Sequence, residues 1–322
     1  MTKPILNLNI NAAALCDEIS RIADDLQIAP SIAACGTTLF DFGIDVPGSI
    51  EAGLLLARVC LADLATVKLL DSDPKLGPWP LVEVTTDRPV AACMASQYAG
   101  WEVKGAKFFA MGSGPMRAAA GREPLFDEIG FREQTDLCVG VLESSKLPPD
   151  EVCVDLAEKC GIDPSQLTLL VAPTSSHAGT LQVVARSVET ALHKLHELGF
   201  DLSRVVQGYG RAPLPSVAGD DLAAIGVTND AILYGGRVML DVTGDDASLE
   251  TIGPRVPSSA SNDYGKPFVE VMAQYNNDFY QIDPLLFSAA QITLVNVETG
   301  NRFEFGELNG DVLRQSFGGV VG

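Results

Sequence analysis

Residues 167-LTLLVAPTSSHAGTLQVVARSVETALHKL-195 set the architecture expected of this chain. The first seven residues are an apolar run of strand length, the next seven are small and polar, and from Leu181 onward apolar positions recur at helical spacing. Strand, turn and helix in that order form the repeating unit of α/β proteins. In open α/β sheets, ligands bind at such strand-to-helix turns. Leu181, Val184, Ala185, Val188, Leu192 and Leu195 give the helix an apolar stripe for a core. Arg186, Glu189 and His193 follow at i, i+3 and i+7, which lines them up on the opposite face of a continuous helix.

Working outward, 148-PPDEVCVDLAEKCG-161 reads as a helix with Pro near its start and Gly after its end. The N-terminal segment 6-LNLNINAAAL-15 starts as a short alternating strand and becomes a helix reaching about Gln27. Small and apolar residues with Gly36 and Gly43 predict strands and a tight turn over 31–45. A long helix is expected over 49–70, capped by Ser49. Downstream, 81-LVEVTTD-87 reads as a strand, 220–244 as a helix leading into a strand, and 291–308 as a hairpin closed by Glu-Thr-Gly-Asn. The fold class is therefore α/β, with mixed sheets and flanking helices. With 322 residues, two domains are expected, 1–165 and 166–322, with a crossing of the chain between them allowed for.

A net charge of −20 repels phosphate backbones and anionic bilayers, so neither nucleic acid nor a membrane is an expected partner. No apolar run reaches the ~20 residues of a membrane span, and the polar, acidic N-terminus is not a secretory signal. The seven cysteines are scattered and mostly in apolar segments, as expected of reduced thiols in a cytoplasmic protein. His193 and His196 have HxxH spacing, but the sequence places no acidic or thiolate cluster beside them, so no metal site is expected.

Four stretches could carry chemistry. Gly112-Ser113-Gly114-Pro115, followed by Arg117 and Arg122, offers backbone amides and guanidinium groups to an anion, or is simply a turn. It lacks the spacing of a phosphate-binding Gly-Lys-Ser/Thr loop and of a nucleophile elbow. The turn holding Ser175, Ser176, His177 and Thr180 sits at a helix N-terminus, where a polar ligand is favoured. His177 either meets that ligand or caps the loop. Arg186 and Glu189, taken without context, read as an exposed ion pair contributing on the order of 0.3 kcal/mol. Finally, 275-YNNDFYQID-283 crowds Asn276, Asp278 and Tyr280 ahead of an apolar run, and lines a pocket or closes a core.

Several segments together carry a resemblance: 173-PTSSHAGTLQVVARSVETALHKL-195, 205-VVQGYGRAPLP-215, 227-VTNDAILYGG-236 and 279-FYQIDPLLFSAAQITLVN-296, with GAKFFAMGSGPMRA and 8-LNINAAALCDEI-19. In collinear order over nearly the whole chain, they resemble the N5,N10-methenyltetrahydromethanopterin cyclohydrolase family. The resemblance implies a hydrolase of one-carbon metabolism that reversibly opens the methenyl bridge of its pterin to the N5-formyl form, in formaldehyde oxidation or in carbon dioxide reduction. It also implies a cytoplasmic homotrimer of two α/β domains with a pocket between them and no metal, nucleotide or redox cofactor. The family's catalytic Arg and Glu, at R-x-x-E spacing, fall on Arg186 and Glu189. Glu189 would then serve as base and afterwards as acid, burial and the Arg186 charge pulling its proton affinity in opposite directions. Ser113, Gly114 and Arg117 would meet the substrate's anionic tail, while Ser175, Ser176, His177, Thr180, Asn276, Asp278 and Tyr280 would meet the pterin. A folate cyclohydrolase or transferase, and a non-catalytic pterin-binding protein, are the alternatives.

Overall fold

The computed structural model describes residues 6–276 and 281–318. In chain order the helices and strands are α1 (Leu8–Arg21), α2 (Ala23–Leu26), β1 (Ala29–Ile32), β2 (Thr38–Asp41), α3 (Ile50–Cys60), β3 (Thr66–Leu70), β4 (Leu81–Thr86), β5 (Trp101–Gly105), β6 (Phe108–Ser113), α4 (Met116–Ala120), α5 (Leu125–Glu128), β7 (Cys138–Glu143), α6 (Asp150–Cys160) and β8 (Leu167–Ala172). They continue with α7 (His177–Val184), α8 (Ser187–Glu197), β9 (Val205–Pro213), α9 (Asp221–Gly235), β10 (Arg237–Val242), α10 (Asp246–Ile252), α11 (Phe268–Gln274), β11 (Gln291–Asn296), β12 (Arg302–Gly306) and α12 (Gly310–Gly318).

The chain divides into two compact units. One holds the residues up to Leu64 with Ala95–Gly179, and the other holds Ala65–Met94 with the residues from Thr180 onward. The sequence drew a single division at 165/166. In the structure the chain passes between the units three times, and strand β8 belongs to the first.

The first unit is a six-stranded mixed sheet in the order β1-β2-β8-β7-β6-β5. Strands β2, β8 and β7 run parallel at its centre. Their near-continuous apolar runs follow from burial on both faces. Alternation along each strand splits the core in two. Phe40, Val139, Val141, Leu170 and Ala172 pack with α1 and α3, whereas Leu39, Cys138, Leu142, Leu169 and Val171 pack with α6 and Met116. The second unit has its own six-stranded sheet, β12-β11-β10-β9-β4-β3. There β10 and β11 are parallel and every other pairing is antiparallel. The mixed α/β class read from the sequence holds in both units.

Local signals worked where capping chemistry is explicit. Ser49 accepts from the Ala52 amide at 3.0 Å, and Asp220 does the same for Ala223 at 2.9 Å. Three expectations are corrected. The helix after Ser49 ends at Cys60, because Ala62 and Asp63 take left-handed backbone and Thr66–Leu70 leaves as an edge strand of the second sheet. Leu6 and Asn7 do not form the expected strand, since Asn7 is already the N-cap of α1. The helix expected over 181–195 is two helices, parted at Ala185 and Arg186.

Candidate active site

That break sets the geometry of the Arg186/Glu189 pair. Arg186 stands at the N-cap of α8 with φ −87° and ψ 9°. This is the sparsely populated bridge region in which many active-site residues are found. Its amide donates to the Val183 carbonyl at 3.1 Å, closing α7, and its carbonyl accepts from the Thr190 amide at 2.8 Å, opening α8. Glu189 therefore occupies the third position of a helix first turn, where the positive end of the helix dipole favours a carboxylate. Neither side chain is the exposed partner of a surface pair. Arg186 and Glu189 are each 6% exposed, and Gln182, whose Oε1 accepts from Arg186 Nη2 at 3.1 Å, is fully buried. Burial of this kind multiplies the electrostatic weight of both charges.

His193 follows one turn after Glu189 on α8. Its ring is partly exposed, and its Nε2 lies 3.7 Å from Glu197 Oε1 on the next turn. The apolar stripe of Leu181, Val184, Ala185, Val188, Leu192 and Leu195 is fully buried as expected. The sequence missed Lys194. Only 1% exposed, it donates from Nζ to the Leu285 carbonyl. Burial, against the nearby Asp283 charge and helped by Arg255, pushes its ammonium down to about 8.

The first unit presents a different arrangement. Strands β2 and β8 end side by side. The Phe42 amide donates to the Val171 carbonyl at 2.8 Å, so the loop after β2 lies against the turn after β8. Asp41 organises that loop by accepting from the amides of Gly43 (2.8 Å), Ile44 (2.6 Å) and Asp45 (2.8 Å). In the neighbouring turn, Ser176 Oγ donates to the Pro173 carbonyl at 2.9 Å and accepts from the Gly179 amide at 3.0 Å. Gly179 is required there, since a β-carbon would strike the Pro173 carbonyl oxygen. Ser176 and Thr180 are buried, Ser175 is half-buried and His177 is exposed at the start of α7.

The Gly112–Pro115 turn is a built-in piece of the fold. Ser113 is fully buried, with Oγ 3.3 Å from the Cys60 Sγ. Gly114 has φ +88° and donates to the Ser96 carbonyl at 2.9 Å. Arg117 is fully buried between the rings of Tyr98 and Phe126 and holds Glu123 with two bonds, Nε–Oε1 2.9 Å and Nη2–Oε2 2.5 Å. Arg117, expected to meet the substrate's anionic tail, here has its fork on a carboxylate of its own unit. Asn276 is exposed with left-handed backbone, φ 54°. Asp278 and Tyr280 lie outside the described residues.

Among the described residues, no group of three or more His, Cys, Asp or Glu side chains could hold a metal ion. Nor, among those residues, is any helix long and apolar enough to cross a membrane.

Comparison with known proteins places these features in a family. The family described as Cyclohydrolase (MCH) matches residues 7–317. The methenyltetrahydromethanopterin cyclohydrolase of Rhodopirellula baltica is 47% identical over 292 residues, covering 89% of this chain and 88% of its own. That of Xanthobacter autotrophicus is 43% identical over 317 residues, covering 98% and 94%. That of Methanococcoides burtonii is 38% identical over 317 residues, covering 98% and 99%. Matched from end to end at this identity, the chain belongs to the cyclohydrolase (MCH) family.

Proposed function

We propose that this chain is a methenyltetrahydromethanopterin cyclohydrolase in which Glu189 moves the protons and Arg186 holds Glu189 and the attacking water in place. The family supports the reaction, and the observation that carries the mechanism is the burial of an Arg and a Glu in one helix first turn. The methenyl carbon lies between two nitrogens of a cationic amidinium and is already electrophilic. Glu189 takes a proton as water adds to that carbon, giving a neutral carbinol. The carboxylic acid then protonates N10, the C–N10 bond breaks, and the carbinol loses its hydroxyl proton as the N5-formyl carbonyl forms. Of the two protons of the water, one ends on N10 and one leaves to solvent, which cancels the charge of the starting cation. A single carboxylate serves both transfers when its protonation states are close in energy at the working pH. Every step is reversible.

Arg186 would be unfavourable beside a cationic substrate on its own. Set next to Glu189 it leaves the pair near neutral and fixes the carboxylate's orientation. The resident chemistry calls for no cofactor. In the turn after β8, Ser175 and His177 carry the proposed substrate contacts, since the Ser176 hydroxyl is committed inside the turn. The resemblance also leads us to take the protein as a cytoplasmic homotrimer.

Mixing the purified protein with methenyl-tetrahydromethanopterin and following loss of the methenyl chromophore tests the activity, with methenyl-tetrahydrofolate run alongside. Rapid loss with the methanopterin alone is expected. Turnover of the folate would overturn the substrate assignment, and binding without turnover would make the chain a pterin carrier.

A further inference from the structure

The segment 205-VVQGYGRAP-213 forms β9, the strand between β4 and β10 in the second sheet. Two glycines in a central strand weaken it unless something must come close. Neither Gly208 nor Gly210 has left-handed backbone, so conformational freedom is not the reason for them. Two residues apart, they face the same side of the sheet. What lies over that side is the first turn of α8. A β-carbon at Gly208 would lie 2.7 Å from Val188 Cγ1, and one at Gly210 would lie 2.8 Å from Val188 Cγ2 and also run into the Ser187 hydroxyl. Val188 therefore straddles β9 with one methyl over each glycine. A β-branched side chain in a helix has one strongly preferred rotamer, so these methyls cannot turn away. Any side chain at either glycine must move the turn itself.

We propose that Gly208, Gly210 and Val188 form a seat that fixes the position of Glu189, the residue directly after Val188, and so sets the rate of the chemical step. This rests on the catalytic reading of Glu189 given above. These three are positioning residues, and none is assigned a contact with substrate. Carbon contacts of 2.7–2.8 Å have to open by roughly 1 Å to reach ordinary van der Waals separation. A misplacement of about 1 Å at a reacting group costs on the order of 100-fold in rate. Binding contacts made elsewhere would be left intact, so the effect is expected in kcat far more than in KM.

The test is a reciprocal pair of substitutions assayed with methenyl-tetrahydromethanopterin. Gly210→Ala and Gly208→Ala are each expected to lower kcat about 10- to 100-fold with KM within about threefold. Val188→Ala, which loosens the seat, is expected to lower kcat several-fold. Combined, Val188→Ala and Gly208→Ala put a methyl back where one was removed, since Val188 is the one close neighbour of a β-carbon at Gly208, and kcat should recover above either single variant. A purely structural role would lower stability without this kcat recovery. Wild-type kcat in folded Gly208→Ala and Gly210→Ala, or no recovery in the double variant, would overturn the seat. If neither glycine variant folds, Val188→Ala alone decides, and an unchanged kcat there also overturns it. Glu189→Gln, measured in parallel, keeps the two ideas apart. An active Glu189→Gln removes the catalytic reading whatever the glycines do, and an inactive one beside unaffected glycine variants removes only the seat.

Discussion

Arg186 Nη2 donates to Gln182 Oε1 at 3.1 Å across the break between α7 and α8, so the last turn of one helix holds the capping residue of the next. Gln182 is fully buried. Replacing it with Met keeps the bulk and removes the acceptor, leaving a buried guanidinium short of one bond. We expect kcat to fall about 10-fold, near the cost of one hydrogen bond to a charged group, with far-ultraviolet circular dichroism unchanged. Steady-state kinetics on Gln182→Met checks this, and an unaltered kcat would mean that Gln182 does not orient Arg186.

Asp230 ties three helices of the second unit together. From α9 it accepts the Phe268 amide of α11 at 2.8 Å and the Ser316 hydroxyl of α12 at 2.6 Å. Burial, opposed by those two bonds and helped by the charge of Glu270, pushes its carboxyl from 3.8 up to about 7. The folded state thus holds a proton that the unfolded chain releases at lower pH. Its contribution is complete below pH 4 and is lost as pH rises to about 7. Asp230→Asn can keep both bonds without titrating. We expect it to be more stable than wild type at pH 8, on the order of 1–3 kcal/mol, with the gap closing toward pH 4. Thermal melts over that range would show parallel curves if Asp230 did not titrate in the folded protein.

Lys194 works with the opposite sign. Its ammonium, lowered from 10.5 to about 8 by burial, releases its proton in the folded state while the unfolded chain still holds one. Stability should therefore rise with pH between about 8 and 10.5, by at most ~1.4 kcal/mol per pH unit. Lys194→Met lacks that rise. Denaturant midpoints at pH 7.5 and pH 10 measure it, and an equal pH dependence in wild type and variant would contradict the assignment.

Glu123 holds the fully buried Arg117 with two bonds. Removing it with Glu123→Ala takes one partner from a buried ion pair, a loss of roughly 3–5 kcal/mol. Because Arg117 is occupied inside its unit, KM of the surviving folded enzyme should stay within about twofold of wild type, well under the ~1.4 kcal/mol of a tenfold change. A large KM increase without loss of stability would restore Arg117 as a residue that holds the substrate's tail.

Much of the fold was legible because it rests on short-range rules. The apolar run of β8, the Ser49 cap, the Gly161 stop and the hairpin over 291–306 are all written in neighbouring residues. The break at Arg186 was not legible, since no Gly or Pro marks it and the apolar stripe runs on through it undisturbed. For the same reason Arg186 and Glu189 looked like a surface pair, and only the structure shows both side chains buried. The exchange of strands between units was equally hidden. Thr66–Leu70 reads as the tail of a helix, and its partner in the second sheet is fixed by long-range pairing with β4. The packing role of Gly208 and Gly210 was hidden too, because a close approach from a distant helix leaves no periodicity of its own.

The measurement that bears most directly on the mechanism is the pH–rate profile of methenyl-tetrahydromethanopterin hydrolysis for wild type and Glu189→Gln. If Glu189 is base and then acid, the amide variant loses kcat by about 100-fold or more, from the lower end of the range for general acid–base catalysis upward. The residual rate also loses the wild-type pH dependence. A Glu189→Gln enzyme that kept most of its activity and the same profile would contradict the account.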